Sequence, residues 1–297
     1  MNRDLFKEKV LREVEKFVKA NYPNGKVEEQ TVQKLNDSKE GFVIIFEDDG
    51  RLIHYWDQLL ERYLHFDSFE AFIENFLESI HDLASYIKVK DIKSLVLEGI
   101  NKGYVINNVL PILINTEINR DFFDEMKLVH RDFPETGLSV IYYFSIETEE
   151  VSGILKMPQC LMEEYEITEE ELYTHALRNL KEKNPLNELP LLSSFGYIVS
   201  PKKDPTLITA KDGFAASYLL LDEVLQHLCD RYDGNIMIIP SSINEVIILP
   251  SESEENINYL KKLVFDTSND AAFLPKEEFL SDQLFMYDRA KHQLFVC

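Results

Sequence analysis

The first candidate binding site in the sequence is a strand that runs into a helix through Lys211-Asp212-Gly213. The helix would begin with the small-residue segment 213–217, whose free backbone amides can approach an anion closely at a helix N-terminus. Asp212, Gly213 and Ser217 are therefore predicted binding residues. Alternatively, the Asp212 side chain caps the helix and the alanines pack on a sheet. At Gly213 we expect a positive φ or a close contact that a Cβ would oppose.

A second candidate site is the polar connection over residues 240–245, which joins two apolar strands. Its predicted binding residues are Ser241, Ser242, Asn244 and Glu245. A serine hydroxyl beside carboxylates is typical of hydrolase chemistry, with Asp212 as a further acid. No histidine or lysine lies near these serines in the sequence to activate them. The alternative is a hairpin turn held by bonds from serine and asparagine side chains to the backbone.

Motifs that would assign a catalytic class are missing from the sequence. It contains no phosphate-binding P-loop, no GxGxxG turn, no HExxH helix, no GxSxG elbow and no kinase catalytic loop. The histidines do not occur at ligand spacing with each other or with cysteine, so we predict no metal site and no cofactor. The three cysteines, Cys160, Cys229 and Cys297, are widely spaced and odd in number, and we expect them to be reduced.

The elements that must position these residues follow from hydrophobic periodicity and from turn residues. Helices are predicted over residues 3–20, 56–64, 68–87, 90–102, 168–182, 214–232 and 254–266. Strands are predicted over residues 26–33, 41–47, 51–55, 104–115, 128–132, 138–146, 151–157, 195–200, 206–210, 235–239, 246–249, 283–288 and 292–296. A hairpin turn is predicted at residues 47–50. From residue 195 onward, the order strand, strand, helix occurs twice without repeated sequence.

These elements indicate an α+β fold in which a mainly antiparallel sheet is covered by helices. We expect an N-terminal region of helices and a small sheet over residues 1–126. A larger α+β region, with the repeated strand–strand–helix arrangement, is expected over residues 127–297.

The composition is strongly acidic, with 53 Asp and Glu residues against 31 Lys and Arg residues and a formal net charge of −22. This charge argues against nucleic acid as a partner, because phosphate binding needs clustered cations. No apolar run is long enough to span a bilayer, and the first eight residues lack the apolar core of a secretory signal. We therefore expect a cytoplasmic protein without nucleic-acid or membrane partners.

Four segments resemble a bacterial family, abundant in gut anaerobes, that is classed only as a domain of unknown function. They are ITEEELYTHALRN at residues 167–179, GFAASYLLLDEVL at 213–225, PSSINEVIILP at 240–250 and LSDQLFMYDR at 280–289. The resemblance extends over nearly the whole chain. It implies no activity, cofactor or partner, because the family has none assigned.

Two functional hypotheses follow from the sequence. The favoured one is a non-catalytic binding or adaptor protein with a protein partner, because catalytic motifs are missing. The other is a hydrolase-like enzyme with its site around Asp212, Ser241, Ser242 and Glu245.

Overall fold

The structure is a computed structural model that describes residues 1–46, 50–89, 100–133, 135–147, 152–251 and 253–297. Contacts divide the chain into two compact units, Met1–Lys34 with Ser38–Gly99 and Leu35–Asp37 with Ile100–Cys297. The boundary predicted at residues 126 and 127 falls within the second unit. Most of the helix predicted over residues 90–102 and most of the turn predicted at 47–50 lie outside the described residues.

The described residues of the first unit form three helices and a three-stranded sheet of order β1-β2-β3. In chain order they are α1 (Arg3–Asn21), β1 (Lys26–Lys34), β2 (Asp37–Ile45), β3 (Arg51–Tyr55), α2 (Trp56–Tyr63) and α3 (Phe69–Val89). Helix α1 begins where the Asn2 side chain accepts the Leu5 amide at 2.9 Å, which satisfies one of the unpaired amides of the first turn. It buries one stripe at four-residue spacing, Phe6, Val10, Val14 and Val18. This stripe joins Phe72, Phe76 and Ile80 of α3 in one apolar core.

The strands that the structure describes in the second unit form two antiparallel sheets. The elements of its first half are α4 (Lys102–Asn108), β4 (Leu110–Asn115), α5 (Arg120–Met126), β5 (His130–Phe133), β6 (Leu138–Glu147), β7 (Ser152–Lys156), α6 (Gln159–Glu164) and α7 (Glu169–Lys183). Strand β6 pairs with β4, β5 and β7. Helix α7 begins at Thr168, whose hydroxyl accepts the Glu171 amide at 3.2 Å.

The six-stranded sheet has the order β13-β12-β10-β11-β9-β8. The elements of this second half are β8 (Leu186–Pro190), α8 (Leu191–Ser194), β9 (Thr206–Ala210), a 3₁₀ turn (Ala215–Leu220), α9 (Asp222–Tyr232), β10 (Ile236–Ile239), β11 (Val246–Pro250), α10 (Glu254–Ser268), a 3₁₀ turn (Lys276–Glu278), β12 (Phe285–Asp288) and β13 (Gln293–Val296). Helices and antiparallel strands share the chain, which confirms the predicted α+β class. None of the helices that the structure describes is long and apolar enough to cross a membrane.

Three predicted elements are wrong. The strand predicted over residues 104–115 is helix α4 followed by β4, because the Asn101 side chain accepts the Tyr104 amide at 2.9 Å and starts a helix. Pro111 is tolerated in β4 because β4 is an edge strand. The helix predicted over residues 214–232 breaks into the 3₁₀ turn and α9, since Leu221 between them has extended backbone angles.

The third wrong element is the strand predicted over residues 195–200. Strand β8 takes its place beside β9, with Leu186 opposite Ala210 and Pro190 opposite Thr206. Residues 195–200 instead form a loop between α8 and β9.

Candidate functional site

The turn at Gly213 is held by two asparagine side chains. Gly213 has φ +80°, and a Cβ on it would lie 3.1 Å from Asn244 Oδ1. That oxygen accepts the Phe214 amide at 3.2 Å. Asn184 accepts the Asp212 amide at 2.8 Å and donates to the Gly213 carbonyl at 3.0 Å. The positive φ predicted at Gly213 is confirmed, and the capping side chain here is Asn244 rather than Asp212.

Two further amides of this segment are bonded within the protein. Ala216 donates to the Ile243 carbonyl at 3.3 Å, and Ser217 donates to the Phe214 carbonyl at 3.0 Å. The Ser217 hydroxyl donates to the Pro111 carbonyl at 3.0 Å and accepts the Leu113 amide at 3.1 Å. The whole 3₁₀ turn is buried. This geometry fits a packing role against β4 and does not favour an anion site.

The serine connection between β10 and β11 has the hydrogen bonds of a structural turn. Ser242 is 3% exposed, and its hydroxyl accepts the amides of Asn244 and Glu245 at 3.0 and 3.1 Å. The Ser241 hydroxyl donates to Glu245 Oε1 at 3.0 Å. Within the described residues, neither serine is hydrogen-bonded to a histidine or a lysine that would activate it. These contacts support the interpretation as a turn and give no support to the hydrolase hypothesis.

Only some of the predicted site residues therefore lie close together in the structure. Asn244 connects the serine turn to Gly213, so these two segments are neighbours in the fold. Asp212 is exposed. Burial raises the pKa of Tyr143 to about 12, and the negative charge of Asp212 adds to this rise. Ser217 faces β4 and does not join the serines.

The cysteines are free, as predicted. Cys160 is exposed, Cys229 is buried and Cys297 is partly exposed. Burial raises the pKa of the Cys229 thiol to about 11, so this thiol is protonated at neutral pH.

One surface that the sequence interpretation missed is the apolar loop, which we define as residues 195–199. Its large side chains face solvent: Phe195 is 78% exposed, Tyr197 is 65% exposed and Ile198 is fully exposed. The apolar pattern of this run predicts a strand over residues 195–200. Gly196, with φ +85°, was the signal against a regular strand.

The base of the apolar loop is fixed by one buried carboxylate. Asp204, 2% exposed, accepts the amides of Leu192 and Ser193 at 2.7 and 3.0 Å and the hydroxyl of Ser193. The Leu191 amide donates to the Pro205 carbonyl at 2.8 Å, and the Tyr197 amide donates to the Leu192 carbonyl at 3.1 Å. Desolvation raises the pKa of Asp204, but hydrogen bonds from Ser193 and Leu192 outweigh this effect and lower the pKa. The exposed side chains thus belong to a loop whose backbone is held in place by hydrogen bonds.

A second missed site is a cleft beside the β12–β13 hairpin, which we call the His292 cleft. It has a volume of about 340 Å³. Its lining residues are Phe133, Glu135, Leu219, Leu220, Asp222, Leu225, Tyr287, His292, Gln293 and Leu294. Asp222, at the start of α9, accepts a hydrogen bond from Tyr287 and lies 2.8 Å from His292 Nδ1. These residues are up to 70 positions apart in the sequence, so no local motif marks them.

Comparison with known families gives a match over nearly the whole chain. Residues 3–289 match the model of a family described as a family of unknown function, DUF5688. No curated protein and no solved structure matches the chain significantly.

Proposed function

We propose that this chain, which belongs to the family of unknown function DUF5688, is a non-catalytic binding protein that docks a protein partner through its apolar loop. The observation that carries the proposal is the exposure of three neighbouring large side chains, Phe195, Tyr197 and Ile198. Single exposed apolar residues are ordinary, whereas a contiguous exposed group is typical of an interaction site. Aromatic side chains in particular supply much of the binding energy at protein interfaces.

The ordered base of the loop supports this role. Because Asp204 and the backbone bonds at Leu191 and Tyr197 already hold the loop, little conformational entropy remains to be lost on binding. The neighbouring strand β8 is an edge of the six-stranded sheet and adds Leu189, 41% exposed, to the same region of the chain.

Charge favours a protein partner over a lipid surface or a second copy of this chain. A formal net charge of −22 repels an anionic membrane, and it repels an identical chain equally. A partner protein with an apolar groove and basic surroundings has neither disadvantage. The three free cysteines are typical of a reducing compartment, which supports a cytoplasmic location.

The test is site-specific photo-crosslinking in the native cell. A photoreactive phenylalanine analogue at Phe195 should give one defined crosslinked protein, and the same analogue at Tyr259, which is 68% exposed on α10, should not. The crosslinked protein, purified separately, should form a stoichiometric complex with this chain. The triple variant Phe195→Ser, Tyr197→Ser, Ile198→Ser should weaken that complex by at least roughly tenfold, about 1.4 kcal/mol.

Three results would overturn the proposal. The first is a crosslink from position 195 to a second copy, with a dimer in light scattering. The second is co-sedimentation with phosphatidylcholine–phosphatidylserine vesicles that the triple serine variant abolishes. The third is a reconstituted complex whose affinity the triple serine variant leaves unchanged.

A further inference from the structure

The His292 cleft has the dimensions and walls of a small-molecule site. Its volume of about 340 Å³ lies within the range of ligand pockets. Four leucines and Phe133 supply apolar walls, and Asp222, Tyr287 and His292 supply polar groups. A ligand that fills it must have an apolar part and a polar head.

The hydrogen-bond donors nearest to Asp222 are used within the protein. Tyr287 donates its hydroxyl hydrogen to Asp222. Gln226 has two amide hydrogens, and they reach the Tyr287 hydroxyl at 2.8 Å and the Arg289 carbonyl at 3.0 Å. The 2.8 Å contact between His292 Nδ1 and Asp222 Oδ2 therefore takes its hydrogen from His292.

The hydrogen-bond acceptors of the cleft, in contrast, can accept further hydrogen bonds. In a neutral imidazole with its hydrogen on Nδ1, Nε2 keeps a lone pair, and the described residues give that nitrogen no hydrogen-bond partner. Each carboxylate oxygen of Asp222 accepts one bond and can accept a second. Glu135 accepts the Gln293 amide at 2.9 Å and has the same spare capacity. A ligand that matches these groups must supply hydrogen-bond donors.

The charge of the cleft is also unbalanced. Desolvation raises the pKa of Asp222, but hydrogen bonds from Tyr287 and His292 outweigh it and lower that pKa, so the group is a carboxylate at neutral pH. No lysine or arginine is among the lining residues. The nearby cations have other partners: Arg289 is paired with Asp230, and Lys291 Nζ lies 3.2 Å from Asp288. The ligand that fits must therefore be positively charged.

We propose that the His292 cleft binds a small organic ammonium ion, with the NH₃⁺ group donating to His292 Nε2 and to the carboxylates of Asp222 and Glu135. The apolar part of the ion packs against the leucines of the wall. The ring of Phe133 adds a surface that attracts cations. Carboxylate or phosphate ligands are repelled by the same two acidic residues.

The test uses hexylammonium as the probe, with hexanoate as a ligand of equal apolar length and opposite charge. Binding is measured by titration calorimetry in phosphate buffer, since Tris is itself an ammonium ion. We expect millimolar or tighter binding of hexylammonium and none of hexanoate. Glu135→Gln, at an exposed position, and Asp222→Asn should each weaken hexylammonium binding roughly threefold to thirtyfold.

His292 requires a replacement that its backbone accepts. It has φ +54°, a left-handed conformation that asparagine tolerates, so His292→Asn removes the imidazole without forcing the turn to rearrange. It should weaken hexylammonium binding, whereas His227→Asn, at an exposed histidine of α9, should leave it unchanged.

The proposal fails if hexanoate binds as well as hexylammonium, or if neither Glu135→Gln nor Asp222→Asn weakens hexylammonium binding. It also fails if hexylammonium does not bind at concentrations up to about 10 mM, the weakest affinity expected of a formed pocket.

Discussion

His54 is a titratable side chain placed in an apolar environment. It lies on β3, with its ring centroid 4.8 Å from that of Phe76 and 5.4 Å from that of Phe42. Its buried Nε2 has no hydrogen-bond partner among the described residues. Burial, with a smaller contribution from the positive charge of Arg62, lowers the pKa of His54 to about 4 from 6.5. The folded state therefore holds this imidazole neutral.

The depressed pKa predicts that acid destabilises the first unit. Between pH 6.5 and about 4, the unfolded chain binds a proton at His54 that the folded chain does not, so stability falls as pH falls through this window. A shift of this size corresponds to about 3 kcal/mol at the acid end. Trp56, the sole tryptophan, is 2% exposed in the same unit, so urea unfolding followed by its fluorescence measures the effect.

Substitution separates His54 from the other acid-sensitive groups. His54→Leu should flatten the dependence of the unfolding free energy on pH between 4 and 6.5, an interval set by the two pKa values. The matched control, His65→Leu at an exposed histidine, should keep the wild-type slope. An unchanged slope in His54→Leu would contradict the assignment.

At the scale of elements, one buried side chain joins helix α7 to the chain that enters β4. Asn179, 1% exposed, donates from Nδ2 to the carbonyls of Ile106 and Val109 at 3.0 and 2.9 Å. These carbonyls belong to the end of α4 and to the residue before β4, where helix bonding stops. The asparagine supplies the donors that the helix end lacks.

Asn179→Leu should therefore destabilise the protein by about 1–3 kcal/mol, because a side chain of similar size leaves one buried and one partly buried carbonyl without this donor. Lys181→Met on the same helix is the control, since its ion pair with Glu223 is largely exposed and contributes little. Circular dichroism during urea unfolding measures both variants. Equal stability of Asn179→Leu and wild type would show that these bonds are dispensable.

The elements also show where sequence patterns suffice. The apolar stripe of α1 and the four-residue spacing of Phe72, Phe76 and Ile80 in α3 were predictable because each buries one periodic face against its own neighbours. Strands β5, β6 and β7 were predictable as separate strands, but β5 and β7 pair with the same edge of β6. The exposure of the loop at residues 195–199 was not predictable, because an apolar run has the same sequence pattern whether it packs in the core or lies on the surface. Asn244 could be singled out as a turn residue, but its bond to the Phe214 amide depends on folding. The His292 cleft joins α9 to the last hairpin, so only the folded chain reveals it.

At the scale of the whole molecule, charge opposes folding. The excess of 22 negative charges produces repulsion that acts at all separations shorter than the screening length. The exposed ion pairs do not balance it: Lys202–Asp233, with side chains 61% and 72% exposed, is typical of pairs that contribute about 0–1 kcal/mol. Reversing the charge of surface acids should relieve this repulsion.

Added salt should accordingly stabilise this protein, although salt weakens individual ion pairs. Raising NaCl from about 10 to 150 mM shortens the screening length from about 30 to 8 Å, which removes most long-range repulsion and leaves contacts within one pair less affected. We expect the thermal midpoint in calorimetry to rise by a few degrees, equally with KCl. The double variant Glu163→Lys, Glu164→Lys, at exposed positions of α6, should start from a higher midpoint at low salt and respond less. A midpoint that falls with salt would mean that the ion pairs outweigh the net charge.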